Sequence, residues 1–223
     1  MTTRLYLAST SPARLATLRA AGIEPWLLPP DVDEDAVAAA TEAELGRKLN
    51  TEELVLLLAR AKAEAALAEL QADGAEIRGL IFGGDSSFEF EGVSYGKPHL
   101  PEIAAARIRN HRGKTGTLYS GHWLIDARAA SIGEAEIRAV GAVSRAEVTM
   151  AADFDDAEVD AYVASGEPLK VAGGFTIDSL GSAYIDQIIG DPSTVVGLSV
   201  PTLRRLAKQL EVPWSDFWNR KSD

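Results

Sequence analysis

LYLASTSPARLATLRAAG, residues 5–22, decides the fold. An apolar run from Leu5 to Ala8 meets the hydroxyls of Ser9, Thr10 and Ser11, and then Pro12. Leu15, Leu18 and Ala21 follow at helical spacing, and Gly22 closes the segment. Strand, polar loop, helix and stop in this order predict an α/β protein. Ser11 is placed to cap the helix, Pro12 lacks an N–H that would go unpaired in the first turn, and Gly22 suits a left-handed C-terminal position.

Outward from this unit, Glu24 to Leu28 reads as a second short strand ended by Pro29 and Pro30, with the acidic residues Asp31, Asp33, Glu34 and Asp35 in a loop. Residues 51–70 carry Leu54, Leu58, Ala61, Ala65 and Ala68 at helical spacing in an alanine-rich context, which predicts a helix. Leu80, Ile81 and Phe82 before Gly83 and Gly84 predict a buried strand with Asp85 at its carboxyl end. Phe88 to Pro98 carries a hairpin signal. Residues 101–112 read as a helix with Ile103, Ala106 and Ile108 inward. Residues 117–126 and 135–150 read as strands, the second bent or bulged at Gly141. Asp155 and Glu158 form a capping-box pattern ahead of a helix to Ala164. Residues 175–177 and 183–189 look strand-like, and 200–210 form a closing helix. Several strands are joined by connections too short for crossovers, so a mixed sheet with flanking helices is expected.

The 223 residues are 46% hydrophobic and 25% charged, an ordinary globular balance. The length suits one large domain, 1–223. With 22 basic against 33 acidic residues the net charge is −11, which argues against a general nucleic-acid binder but leaves room for a small polyanion in a locally basic cleft. The absence of cysteine excludes disulfide scaffolds, thiolate zinc sites and cysteine nucleophiles. No apolar run reaches the ~18 residues of a membrane span, so a cytoplasmic protein with no membrane partner is expected.

Several residues are candidates for chemistry. The loop from Ser9 to Arg14 sets hydroxyls and amides at a helix N-terminus, which attracts anions. Arg14 in the first turn opposes the helix dipole, so either a phosphate partner or plain solvation accounts for it. Asp85, among small residues, can bind magnesium or orient water, or else satisfy turn amides. Lys97, between Gly96 and Pro98, can meet phosphate or solvent. Lys62, one turn after Leu58, can enter a cleft or snorkel. Asp33, Glu34 and Asp35 offer oxygen ligands for magnesium or manganese, or serve solubility alone. His99, His111 and His122 show no metal-ligand spacing, and Walker, Gly-x-Ser-x-Gly and Gly-x-Gly-x-x-Gly patterns are absent.

Taken in order, LYLASTSPARLATLRAAGI, DVDED, IFGGDSSF, YGKP, SGEPLKVAGGFTIDSLG and GDPSTVVGLSVPTLRRL resemble the Maf family over nearly the whole chain. The resemblance implies a mixed α/β fold related to inosine triphosphatases, with two lobes around a cleft and a possible homodimer. It implies a nucleoside triphosphate pyrophosphatase that hydrolyses a triphosphate, canonical in base or modified, to monophosphate and diphosphate with magnesium or manganese. Asp85 falls on the family's proton acceptor and, with Glu34, on its metal-binding acids. Ser9, Ser11 and Arg14 fall in its first phosphate-facing loop, Lys62 on its helical lysine and Lys97 on its Gly-Lys-Pro lysine, all implied to bind substrate. Ala13 stands where many members have arginine, Gly84 and Ser86 replace the commoner alanine and threonine, and Asp178 stands where the pyrimidine-selective branch has glutamine. The alternative implied is a nucleotide-binding regulator of cell division with little turnover.

Overall fold

The computed structural model describes residues 3–74, 77–128 and 137–220. Seven strands form one mixed sheet: β1 (Arg4–Ala8), β2 (Trp26–Leu27), β3 (Gly79–Phe90), β4 (Val93–Tyr95), β5 (Thr115–Asp126), β6 (Arg138–Met150) and β7 (Ile185–Gly190). Their order is β2-β1-β3-β5-β6-β7, with β4 paired to β3. The pairs β1–β2 and β1–β3 are parallel, and all others are antiparallel. The helices are α1 (Pro12–Ala20), α2 (Glu34–Leu45), α3 (Thr51–Ala72), α4 (Pro101–His111), α5 (Asp156–Ala164), α6 (Pro192–Val196) and α7 (Val200–Gln209).

β3 positions the site. One of its edges pairs continuously with β5, from Leu80 opposite Asp126 to Glu89 opposite Thr117. Its other edge pairs with β1 only as far as Gly83 and with β4 only from Phe88. Residues 84–87 therefore lie in a gap between two strand partners. The core divides at the same place. Leu5, Leu7, Leu80 and Phe82 pack with α1 and α7 on one side of the gap, and Phe88, Phe90, Leu118 and Val148 pack with α4 and α5 on the other.

The remaining elements follow local chemistry. Ser11 caps α1, Gly22 takes φ +83, and Asp155 and Glu158 form the expected capping box on α5. Five expectations are corrected. Asp85 lies inside β3 rather than at a strand end, because β5 carries the ladder through both glycines. Glu34 and Asp35 open α2, capped by Asp33, instead of lying in a loop; α2 buries no residue and so has no apolar stripe to betray it. β6 passes Gly141 in register, and its irregularity falls between Thr149 and Met150; Gly141 is small because a Cβ there would meet the Trp123 ring at 2.3 Å. Residues 175–177 form no strand; they follow a short 3-10 turn, Ala172–Gly174, in a loop. The inward face of α4 is Ala104, Ala105 and Ile108, with Ile103 37% exposed. Ala135 and Glu136 lie outside the described residues.

The face that α3 turns to the sheet is also shifted from the expected one. Val55, Leu58, Ala59, Ala63 and Ala66 are buried, and the reason is backbone proximity. A Cβ on Gly83 would sit 2.1 Å from the Ala59 carbonyl oxygen, and one on Gly121 2.1 Å from that of Val55. Two glycines on adjacent strands thus admit the helix backbone itself, which selects its small residues for the seam.

Candidate active site

Alternation along β3 sends Asp85 to the face covered by α3 and Ser86 to the opposite face. On the first face, Lys62 of α3 reaches Asp85 Oδ1 at 2.6 Å and Glu34 Oε1 at 2.7 Å, so one ammonium joins two carboxylates from separate elements. Burial pushes the Asp85 carboxyl up, against the pull of Lys62 and then Arg14. No turn amide bonds to Asp85 among the described residues. Its role is therefore not that of a turn aspartate.

On the second face, Arg14 is buried at 8% exposure. Its Nε donates to the Gly197 carbonyl at 2.8 Å, Nη1 to Ser9 Oγ at 3.0 Å and Nη2 to Ser86 Oγ at 2.9 Å. Burial pushes this guanidinium down from its ordinary value, while the charges of Asp85 and Glu34 draw it back. Ser9 Oγ also accepts the Ser11 amide, and Ser11 Oγ accepts the Arg14 amide, which fixes the loop after β1. Arg14 is thus neither solvated nor a helix-surface charge.

These groups line one cavity of about 720 Å³, together with Ala13, Lys97 and Asp178. That volume is in the range of small-molecule sites, about 300–1,000 Å³. Lys97 is exposed in the segment after β4 and has no ion-pair partner among the described residues. Asp178 is likewise exposed and unpaired among them, and it sits in a loop rather than a strand. All the expected site residues, Ser9, Ser11, Arg14, Glu34, Lys62, Asp85, Lys97 and Asp178, converge on this cavity.

Sequence reading missed other participants. Lys170 and His99 also line the cavity, from a 3-10 turn and from the loop before α4. Glu167 organises the wall that carries Asp178: it accepts Thr176 Oγ1, the Gly181 and Leu180 amides and the Tyr162 hydroxyl. Desolvation opposes its charge, but the bonds from Thr176, Ser179, Gly181 and Leu180 outweigh it and hold the carboxyl at about 2. Its only signal was the Ser-Gly-Glu-Pro run, which reads equally well as a helix stop.

The metal-binding capacity is limited but specific. Among the described residues no group of three or more His, Cys, Asp or Glu could hold an ion. Asp85 and Glu34 supply two hard carboxylates around one cation, and Asp85 Oδ2 and Glu34 Oε2 have no partner among the described residues. That donor set fits magnesium or manganese bound by one or two carboxylates with phosphate oxygens completing the shell.

Comparison with known proteins places relatives beside this chain. A family model described as Maf-like protein matches residues 4–210. A protein of Leifsonia xyli subsp. xyli named nucleoside triphosphate pyrophosphatase is 60% identical over 217 residues, covering 97% of both chains. Proteins of the same name from Salinispora tropica and Corynebacterium efficiens are 46% and 42% identical, covering 97% of this chain and 88% and 100% of their own.

Proposed function

We propose a function from the premise that the family match supplies: this chain belongs to the Maf-like protein family. It is a hydrolase of acid anhydrides, a nucleoside triphosphate pyrophosphatase. The observation that carries the reading is the meeting of Lys62, Asp85 and Glu34 from one face of the sheet with Arg14 from the other, at the gap in β3.

The substrate is a ribo- or deoxyribonucleoside triphosphate, and the products are its monophosphate and diphosphate. Arg14, Lys97 and the hydroxyls of Ser9 and Ser11 grip the phosphates. Asp85 takes a proton from a water whose oxygen bonds to the α-phosphorus, while the bond from that phosphorus to the bridging oxygen breaks and diphosphate leaves with the electron pair. Lys62 holds Asp85 and Glu34 in place until substrate arrives. A divalent cation, magnesium or manganese, held by Asp85 and Glu34, supplies charge neutralisation when bound. Asp178 borders the base. Among the described residues no helix is long and apolar enough to cross a membrane; a cytoplasmic setting and a homodimer belong to the same proposal.

The regulator reading is not favoured, since the relatives carry the enzyme's name and the Asp85, Lys62 and Arg14 set is intact. The test is incubation with a panel of triphosphates and magnesium or manganese in heavy-oxygen water, followed by separation of products. Diphosphate with label in the monophosphate is expected. Orthophosphate with nucleoside diphosphate alone would overturn the reading.

A further inference from the structure

Arg14 brings its charge into the protein with no carboxylate bonded to it among the described residues. All three of its side-chain bonds go to neutral oxygens, those of Gly197, Ser9 and Ser86. A guanidinium has five N–H groups, so one on Nη1 and one on Nη2 have no partner among the described residues. That leaves the two-pronged donor suited to a phosphate. Its aim depends on what fixes the guanidinium plane.

A chain of hydroxyls stands behind it. Ser86 Oγ lies 2.9 Å from Ser120 Oγ, and Ser120 Oγ donates to the Thr194 carbonyl at 2.9 Å. The two ends set the proton order, because arginine only donates and a carbonyl only accepts. Arg14 Nη2 donates to Ser86, Ser86 to Ser120, and Ser120 to Thr194. Ser120 is 0% exposed and cannot touch a ligand. Its backbone carbonyl is held by His122 Nδ1 at 3.0 Å, and His122 Nε2 accepts the Ser199 amide at 2.8 Å. Ser199 N–H must donate, so His122 is the neutral tautomer with its proton on Nδ1. The segment containing Thr194, Gly197 and Ser199 therefore meets the guanidinium twice, directly at Gly197 and through Ser120 and Ser86.

We propose that Ser120 is a positioning residue for the Arg14 guanidinium, acting through Ser86; this rests on the reading of Arg14 as a phosphate contact. Without the Ser120 hydroxyl, the remaining acceptor for Ser86 is the Gly197 carbonyl at 3.5 Å, which Arg14 Nε already occupies. Turning there weakens the lone pair offered to Nη2, and the guanidinium loses one of its fixed points.

A double-mutant cycle of Ser120→Ala and Arg14→Ala tests this, with melting temperature as the control for folding. Two readouts are taken: kcat/KM for diphosphate release, and affinity for a triphosphate whose α,β bridge is methylene. In the wild-type background Ser120→Ala should lower both by about 10-fold or more, the scale of a hydrogen bond to a charged group. In the Arg14→Ala background it should change either by less than about 2-fold, since the two residues act as a unit. Equal losses in both backgrounds would overturn the proposal and leave the enzyme reading standing. A wild type that binds the analogue but releases no diphosphate would overturn the activity reading, and the cycle on affinity would still decide for or against Ser120. No binding of the analogue by the wild type would overturn both.

Discussion

At the scale of single residues, Asp85 and Ser86 are neighbours in sequence that serve opposite faces of one strand, and this alternation brings Lys62 and Arg14 to one place. Asp178 is the residue whose identity bears on base choice. An ionised aspartate only accepts hydrogen bonds, whereas a glutamine amide both donates and accepts and so can match the imide edge of uracil or thymine. Asp178 is exposed to the cavity and carries no ion pair among the described residues, so its carboxylate is available to a base. The wild type should therefore favour CTP or GTP over UTP and dTTP in kcat/KM, and Asp178→Gln should shift that ranking toward the last two. An unchanged ranking would remove Asp178 from specificity. Arg14, Lys62 and Asp85 were legible because each is a charge where local structure alone does not call for one. Ser86, Ser120 and Glu167 were not, since a serine within a strand or a glutamate after a helix has no pattern that separates ligand support from ordinary surface.

At the scale of elements, α3 reaches the sheet through Gly83 and Gly121, and its approach sets where Lys62 meets Asp85. Gly121→Ala should cost about 1–3 kcal/mol, the range for overpacking, because the new Cβ meets backbone rather than a side chain that can move. It should also lower turnover by displacing Lys62. Urea unfolding and diphosphate release measure the two effects, and a variant equal to wild type in both would show that α3 does not depend on this contact. The opening strand, loop and helix, the hairpin at β4 and the capping box of α5 were readable because local signals specify them. The course of β3 through Asp85 was not. Two glycines in sequence look like a turn, and only the long-range ladder to β5 and the pressure of α3 show them to be strand. α2 escaped notice for the reverse reason, having no buried face to impose a period.

At the scale of the whole molecule, two buried histidines tie stability to pH. His111 lies among Phe88, Phe90 and Tyr95 with neither ring nitrogen bonded among the described residues, and burial, then Arg107 and Lys114, push it down to about 4. Burial, then Arg14, hold His122 at about 4 as well. The unfolded chain protonates each near the ordinary 6.5, so both contribute stability fully above that pH and lose it as pH falls toward 4, on the order of 3 kcal/mol each. Urea midpoints should fall between pH 6.5 and 4.5, where ordinary carboxylates are still mostly ionised, and His111→Phe should flatten that slope. Equal slopes would show that His111 does not contribute. The net charge of −11 makes the local cations of the cleft all the more necessary for a polyanionic substrate. The gap in β3 is where those cations, the carboxylates and the cavity coincide, so Asp85 within it is the residue to change. Diphosphate release and analogue affinity should be measured side by side for wild type and Asp85→Asn. Turnover is expected to fall by about 100-fold or more, well beyond any change in analogue affinity. An Asp85→Asn protein that releases diphosphate at the wild-type rate would place the proton acceptor elsewhere and contradict the assignment of the site.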